Sequence, residues 1–152
     1  MHKLIIADTS CFIILSKIDE LELLQNIYVQ IVTTSDIAIE FGEVLPDWVI
    51  IKNVSNKNYQ DILELQLDKG ESSAIALAME IENCTIILDD YKARKVAQKL
   101  NISITGTIGI IVKAKQLGII KSVQPILEKI RNSNFRLSKE LENQALSLSN
   151  EL

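Results

Sequence analysis

The first regular segment of the chain is predicted by the stretch Leu4-Ile5-Ile6-Ala7-Asp8-Thr9-Ser10, four apolar residues followed by three polar ones. Continuous apolar runs of this kind are typical of strands buried on both faces, as in a parallel sheet. The same pattern returns at Thr85-Ile86-Ile87-Leu88, which runs into Asp89-Asp90. Both stretches therefore predict strands that carry carboxylates at their carboxyl ends.

Further strands and helices alternate along the rest of the chain. Apolar runs predict short strands at 30–32, 48–51 and 102–104. Helical periodicity and capping residues predict helices after Ser10, from Asp19, and over about 35–41, 57–66, 71–82, 91–100, 107–117, 122–132 and 138–149. This alternation predicts an α/β fold with a central parallel sheet of about five strands.

The segment between the third and fourth predicted strands should contain two helices separated by Gly70. Ile62 and Leu65 are expected on the buried side of the first helix. Glycine weakens a helix interior, so Gly70 is expected to end the first helix before the second begins.

Length and composition restrict the class of protein. The chain has 152 residues, a formal net charge of −4, 47% apolar and 5% aromatic residues, which favours one domain over 1–152. Cys11 and Cys84 form no CxxC pair, which fits a reduced, cytoplasmic setting. No apolar run reaches the roughly 18 residues that suggest a membrane span. The lone His2 argues against Ser-His hydrolases and zinc proteases.

The candidate site is built from carboxylates. In open α/β sheets, ligands bind beyond the carboxyl ends of the strands, where Asp8, Asp89 and Asp90 are expected. Two further acids, Glu40 and Glu71, are expected on the inward or groove-facing sides of their helices.

Helical spacing supports the placement of these two glutamates. Glu71 shares a stripe with Ile75 and Ala78, and Glu40 shares a side with Ile37 and Val44. Since a buried carboxylate without a partner is costly, each needs a partner. Several acids without histidine or cysteine favour a hard cation, Mg²⁺ or Mn²⁺, which takes oxygen ligands and commonly meets phosphate.

Each acid also has a purely structural alternative. Asp8 can cap the first helix. Glu40 can be a solvated helix residue, with Glu43 as its rival for the site. Glu71 lies in a first helical turn, where an acid complements the helix dipole. Asp89 and Asp90 can be an N-cap and first-turn pair.

Four of these segments together match a known arrangement. They are the strand ending in Asp8-Thr9-Ser10, the helix with Ile39-Glu40, the stretch Gly70-Glu71-Ser72-Ser73-Ala74-Ile75-Ala76-Leu77-Ala78, and the strand end Ile87-Leu88-Asp89-Asp90. Their order and spacing resemble the PIN-domain ribonucleases. In addition, Leu88–Arg94 and Ile104–Gly109 resemble an uncharacterised bacterial and archaeal branch of that family, related to VapC toxins.

The resemblance implies a three-layer α/β/α Rossmann-like fold and an Mg²⁺- or Mn²⁺-dependent endoribonuclease, the toxin of a toxin–antitoxin pair. It makes Asp8, Glu40, Glu71 and Asp90 the catalytic, metal-binding acids, with Asp89 able to share or replace the role of Asp90. Three positions depart from the toxin pattern: Glu71 stands where Asp is more common, Leu88 stands where Thr is common, and Thr107 is the polar group available where a further acid sometimes follows the last strand.

Other polar residues are expected around the acids. Arg94 is the best candidate for an RNA phosphate contact, because its planar fork suits phosphate oxygens, and Lys92 lies on the same predicted helix. Thr9, Ser10 and Thr107 are expected to hold the acids or a water, with helix capping as the alternative for each. The expected partners are an RNA substrate, a small antitoxin and a second copy of the chain.

Two other functions fit parts of the sequence. A phosphoacceptor domain of the receiver or phosphohydrolase type also places Asp at strand ends. However, phosphohydrolases need a second Asp where Ser10 stands, and receivers need an Asp where the third strand runs into Lys52-Asn53. A catalytically silent PIN-like binding or regulatory domain stays open, because the acids can persist for stability.

Overall fold

The computed structural model describes residues 4–152, so His2 lies outside the described residues. Its centre is a parallel sheet with the strand order β3-β2-β1-β4-β5. The strands are β1 (Leu4–Ala7), β2 (Gln30–Thr33), β3 (Val49–Ile51), β4 (Cys84–Ile87) and β5 (Ser103–Thr105). The five strands predicted from apolar runs are thereby confirmed.

Helices cover both faces of this sheet, which confirms the three-layer α/β/α sandwich. They are α1 (Thr9–Lys17), α2 (Glu22–Ile27), α3 (Ser35–Phe41), α4 (Asn58–Leu63), α5 (Lys69–Glu80), α6 (Tyr91–Lys99), α7 (Thr107–Gln116), α8 (Gln124–Asn132) and α9 (Lys139–Leu148). Both α3 and α4 pack on α5, while α2 and α9 pack on α7. Across residues 4–152, every helix is too short or too polar to cross a membrane.

The central strand β1 organises the sheet. Ile6 pairs with Val32 of β2 on one side and with Ile86 of β4 on the other, and Ile5, Ile6 and Ala7 are completely buried. From β1 the chain builds outward to β2 and β3, then returns to add β4 and β5 on the opposite side. The carboxyl ends of β1 and β4 therefore flank the point where the strand order reverses, which is the usual ligand crevice of such sheets.

The segment between β3 and α5 departs from the prediction. Helix α4 ends at Leu63 and buries Leu63 and Gln60, whereas Ile62 and Leu65 are 60% and 85% exposed. Gln60 can be buried because its amide donates to the Asp36 carboxylate over 2.8 Å. The predicted orientation was wrong because the buried side is formed instead by Gln60, Leu63 and Leu67, which follow one another at helical spacings of three and four.

Gly70 does not interrupt a helix, which is a second departure from the prediction. It is the second residue of α5, which begins at Lys69 after the N-cap Asp68. The interruption between α4 and α5 lies instead at residues 64–68. Near the start of the chain, Asp19 has a positive φ of 60°, and α2 begins only at Glu22. The predicted cap at Asp19 is therefore wrong.

Two predictions at helix ends also need correction. Asp8, and not Ser10, occupies the N-cap position of α1. The apolar spacing of residues 91–100 predicts that Leu100 faces inward, but it is 41% exposed, because it lies at the C-terminal cap of α6, where the helix ends.

The C-terminal segment is anchored by one carboxylate, that of Glu151. It accepts hydrogen bonds from the Ser122 hydroxyl and from the backbone amides of Val123 at 2.9 Å and Gln124 at 3.3 Å, and Lys115 Nζ lies 2.9 Å away. Desolvation opposes its ionisation, but these hydrogen bonds prevail and lower the pKa of Glu151 to about 2. Glu151 thus supplies the acceptor that the first amides of α8 need, and it ties the chain after α9 to α7.

We expect Glu151→Gln to lower the free energy of unfolding at pH 7 by about 1–3 kcal/mol, because charge-assisted hydrogen bonds are lost. The pKa of Glu151 is lower in the folded state than its ordinary value of 4.5. Its contribution is therefore present above about pH 4.5 and is lost as the pH falls toward 2. Urea unfolding of both proteins measures the difference. Glu128→Gln, an exposed change on α8, is the control, and equal midpoints for the two variants would contradict the assignment.

Candidate active site

Asp8 follows β1 directly and lies at the bottom of the β1–β4 crevice. Its side chain is 5% exposed and makes no capping hydrogen bond, and its Oδ1 atom has no hydrogen-bond partner. The side chain of Asp8 therefore does not cap α1, so the purely structural alternative for Asp8 is wrong. Burial raises the pKa of Asp8 to about 7; the amide of Thr9 opposes this shift, while the charges of Glu71, Asp68 and Glu40 add to it.

Glu71 and Asp68 form a reciprocal pair at the start of α5. Asp68 Oδ1 accepts the Glu71 amide over 2.8 Å, and Glu71 Oε1 accepts the Asp68 amide over 3.4 Å. Desolvation raises the pKa of Glu71 to about 7, with further contributions from the charges of Asp68, Asp90 and Glu40. Glu71 thus complements the first turn of α5, as its purely structural alternative predicts. It also lies close enough to Asp68, Asp90 and Glu40 for their charges to affect its pKa.

Asp68 was missed by the sequence analysis. Its signal was the spacing of Asp68 and Glu71, since an acceptor three residues before a glutamate is the pattern of a capping box. The expectation that Gly70 would break the helix obscured this pattern.

Glu40 approaches the same helix from α3. Both of its carboxylate oxygens lie 3.1 Å from the position that a Cβ atom on Gly70 would occupy. The missing side chain at Gly70 therefore gives this carboxylate access to the N-terminus of α5, where the helix dipole favours an anion. Glu40 itself is exposed, and Val44 is 97% exposed because α3 ends at Gly42 with a φ of +75°. The expected shared inward side with Val44 is wrong.

The two neighbouring aspartates after β4 have different surroundings. Asp90 is the N-cap of α6, and its Oδ2 atom accepts the Ala93 amide over 3.0 Å. Its charge acts on Glu71, so it belongs to the acidic group. Asp89 instead accepts hydrogen bonds from the Ser10 hydroxyl and from both the amide and the hydroxyl of Thr107.

The remaining predicted residues differ in their exposure and contacts. Thr9 Oγ1 is buried without a hydrogen-bond partner, and Lys92 is exposed on α6. Arg94 Nη1 donates to the Leu88 carbonyl over 2.7 Å. Its side chain lines an open cavity of about 600 Å³ that extends from Asp89 between α7 and α9.

The acids are near enough to influence one another but are not gathered at one point. Among residues 4–152, no three Asp, Glu, His or Cys side chains form an assembled metal-binding group. Asp68, Glu71 and Asp90 instead complete helix caps. The unpartnered Asp8 oxygen and the raised pKa values nevertheless fit a bound cation, and an all-oxygen donor set suits Mg²⁺ or Mn²⁺.

The comparison with protein families agrees with this geometry. The family model described as "DUF3368: PIN domain" matches residues 4–151. The chain belongs to the PIN-domain family. No curated protein and no solved structure matches the chain. PIN domains are generally nucleases that use divalent metal ions, so membership supports a nuclease-type hydrolase that acts on nucleic acid.

In this PIN domain without metal, ionisation of Asp8 should oppose folding. Its folded-state pKa of about 7 is above the ordinary value of 3.8, so this penalty is absent below about pH 4, grows up to pH 7 and is then constant. We expect Asp8→Asn to raise the free energy of unfolding by about 2 kcal/mol at pH 8 and to change it little at pH 4.

Urea unfolding in EDTA at the two pH values measures this difference. Asp47→Asn, at an exposed loop position, is the control for removal of one negative charge. A stability gain that is the same at pH 4 and pH 8 would contradict the prediction.

Proposed function

We propose that this PIN domain is a metal-dependent endoribonuclease that binds Mg²⁺ or Mn²⁺ through Asp8, Glu40, Glu71 and Asp90. The observation that carries the proposal is the buried carboxylate of Asp8, whose Oδ1 atom has no partner. It lies at the strand-order reversal, and the neighbouring carboxylates increase the cost of its charge. A cation bound there would polarise the phosphodiester and lower the pKa of a water molecule.

The residues of the chain would divide the work. Asp8 is held rigidly at the end of the central strand, while Glu40 and Glu71 approach from two helices. One carboxylate takes a proton from the attacking water while the oxygen of that water forms a bond to phosphorus. The bond from phosphorus to the leaving oxygen then breaks, and that oxygen takes up a proton from the protonated carboxylate or from solvent water.

Arg94 is the proposed contact for an RNA phosphate. One of its five N–H donors is used by the Leu88 carbonyl, and the side chain faces the cavity beside Asp89. Lys92 is exposed on the same helix and adds positive charge. Because the chain has a net charge of −4, RNA attraction must come from such local groups.

The biological role that we propose is that of a toxin in the cytoplasm, neutralised by a small antitoxin and active as a homodimer. It rests on the resemblance of Leu88–Arg94 and Ile104–Gly109 to the VapC-related branch. Membership in the PIN family argues against the phosphoacceptor alternative.

A catalytically silent PIN domain is the second candidate. Asp68, Glu71 and Asp90 all serve as helix-capping residues. These caps would retain the acids even without catalysis, so the acids alone do not separate the two functions.

Cleavage of labelled structured RNA and of a tRNA pool tests the proposal, in Mn²⁺, Mg²⁺ or EDTA. We expect Asp8→Asn to lower the rate at least about a hundredfold, because several kcal/mol of charge stabilisation are lost with the cation. EDTA should have the same effect, and Asp47→Asn should behave like the wild type. Cleavage that survives in Asp8→Asn would indicate a contaminating nuclease. Mn²⁺ binding by calorimetry without cleavage of any RNA would favour the silent domain.

The phosphate contact has its own test. We expect Arg94→Gln to raise KM for RNA about tenfold or more with little change in kcat, since a charge-assisted hydrogen bond is lost. It should also reduce the slope of log affinity against log salt by about one. Lys99→Gln, an exposed change in the last turn of the same helix, should change KM less than twofold. If both variants raised KM equally, Arg94 would contribute only general positive charge, and the specific phosphate contact would be contradicted.

A further inference from the structure

Asp89 differs from every other acid of the crevice in the number of donors that it meets. Its Oδ2 atom accepts the Ser10 hydroxyl over 2.8 Å and the Thr107 hydroxyl over 2.6 Å. Its Oδ1 atom accepts the Thr107 amide over 2.8 Å. A carboxylate has about four lone-pair sites, so three of them are already used by the protein.

The two donor residues and Asp89 lie at three separate strand-to-helix junctions of the fold. Ser10 belongs to the first turn of α1 after β1, Asp89 lies between β4 and α6, and Thr107 begins α7 after β5. One carboxylate therefore joins the carboxyl ends of three neighbouring strands. Asp8 lies two residues before Ser10, and Asp90 is adjacent to Asp89.

The packing around Asp89 is fitted to this role. A Cβ atom on Gly106 would lie 3.1 Å from Asp89 Oδ1 and 3.1 Å from Arg94 Nη1. A Cβ atom on Gly109 would lie 2.5 Å from Thr105 Oγ1. Both glycines allow the start of α7 to pack closely, which brings Thr107 within reach of the carboxylate.

Asp8 provides the contrast. Asp89 has three protein donors, whereas Asp8 Oδ1 is buried and has no partner. A cation would satisfy Asp8, but at Asp89 it would compete with hydrogen bonds that already hold the site together.

We infer that Asp89 is a positioning residue that joins the β1–α1, β4–α6 and β5–α7 junctions and thereby places Asp8 and Asp90, and that it is not a ligand of the cation. The reference to a cation rests on the proposed function. The hydrogen-bonded junction itself does not, and it can be tested in protein without metal.

The first experiment uses metal-free protein and measures amide hydrogen exchange by NMR. Asp89→Ala removes both acceptor oxygens and should speed exchange at the Thr107 amide at least tenfold. Asp89→Asn keeps one acceptor oxygen and should restore much of the protection. Asp90→Asn, which keeps an N-cap on α6, should leave Thr107 unchanged. Unchanged exchange in Asp89→Ala would overturn the inference.

The second experiment measures Mn²⁺ affinity by calorimetry in the same variants. Asp89→Ala should weaken binding about 10–100-fold, as loss of an orienting partner does, while Asp89→Asn should stay within about threefold of the wild type. Asp90→Asn should weaken binding at least tenfold, because a ligand charge is lost. In the Asp89→Ala background, Thr107→Val should cause little further loss, since both changes break the same junction.

The two experiments separate the possible failures. If Asp89→Asn loses Mn²⁺ affinity as fully as Asp90→Asn and Thr107 stays protected, Asp89 is a ligand and the inference is wrong. If the wild type binds no Mn²⁺, the proposed function fails, and the exchange data still decide whether Asp89 joins the three junctions.

Discussion

The burial of one carboxylate at the end of the central strand is the constraint to which the rest of the site responds. Strand β1 is paired on both sides and completely buried at Ile5, Ile6 and Ala7, and the residue that follows it is buried as well. That residue is Asp8, and its charge is costly there. A polar residue at this place weakens the fold, which is a common property of functional sites.

The other acids reach the crevice at less cost because they also have structural roles. Glu71 and Asp68 complete a capping box, and Asp90 caps α6. Glu40 lies against the N-terminus of α5, where Gly70 leaves room for it. Helix ends, rather than an assembled cage, therefore bring the negative charges together. A cation would have to draw some of them away from these hydrogen bonds, so its affinity depends on the stability of the caps.

Local sequence patterns predict the structure correctly where one pattern dominates a segment and wrongly where two patterns compete. Long apolar runs identified β1 and β4, and the acids that follow them were correctly expected at strand ends. On α4, however, the buried side carries Leu63 together with Gln60, whose amide donates to Asp36, and Ile62 is exposed. At α5, the capping box formed by Asp68 allowed the helix to include Gly70. The first outcome cannot be derived locally, because it depends on packing and on a partner from another helix. The second could have been read from the spacing of Asp68 and Glu71, which is that of a capping box.

The amino-acid sequence by itself determined the alternation of strands and helices, the parallel sheet and the acids at the strand ends, because these follow from local periodicity and from residue type. Only the tertiary structure distinguished Asp89 from Asp90. The two are neighbours with identical side chains, yet one faces Ser10 and Thr107 and the other caps α6. Tertiary structure also left the Oδ1 atom of Asp8 without a hydrogen-bond partner. The physical reason is that hydrogen-bond partners from distant segments are assigned when the strands come together, and this pairing is not encoded in the spacing along the chain.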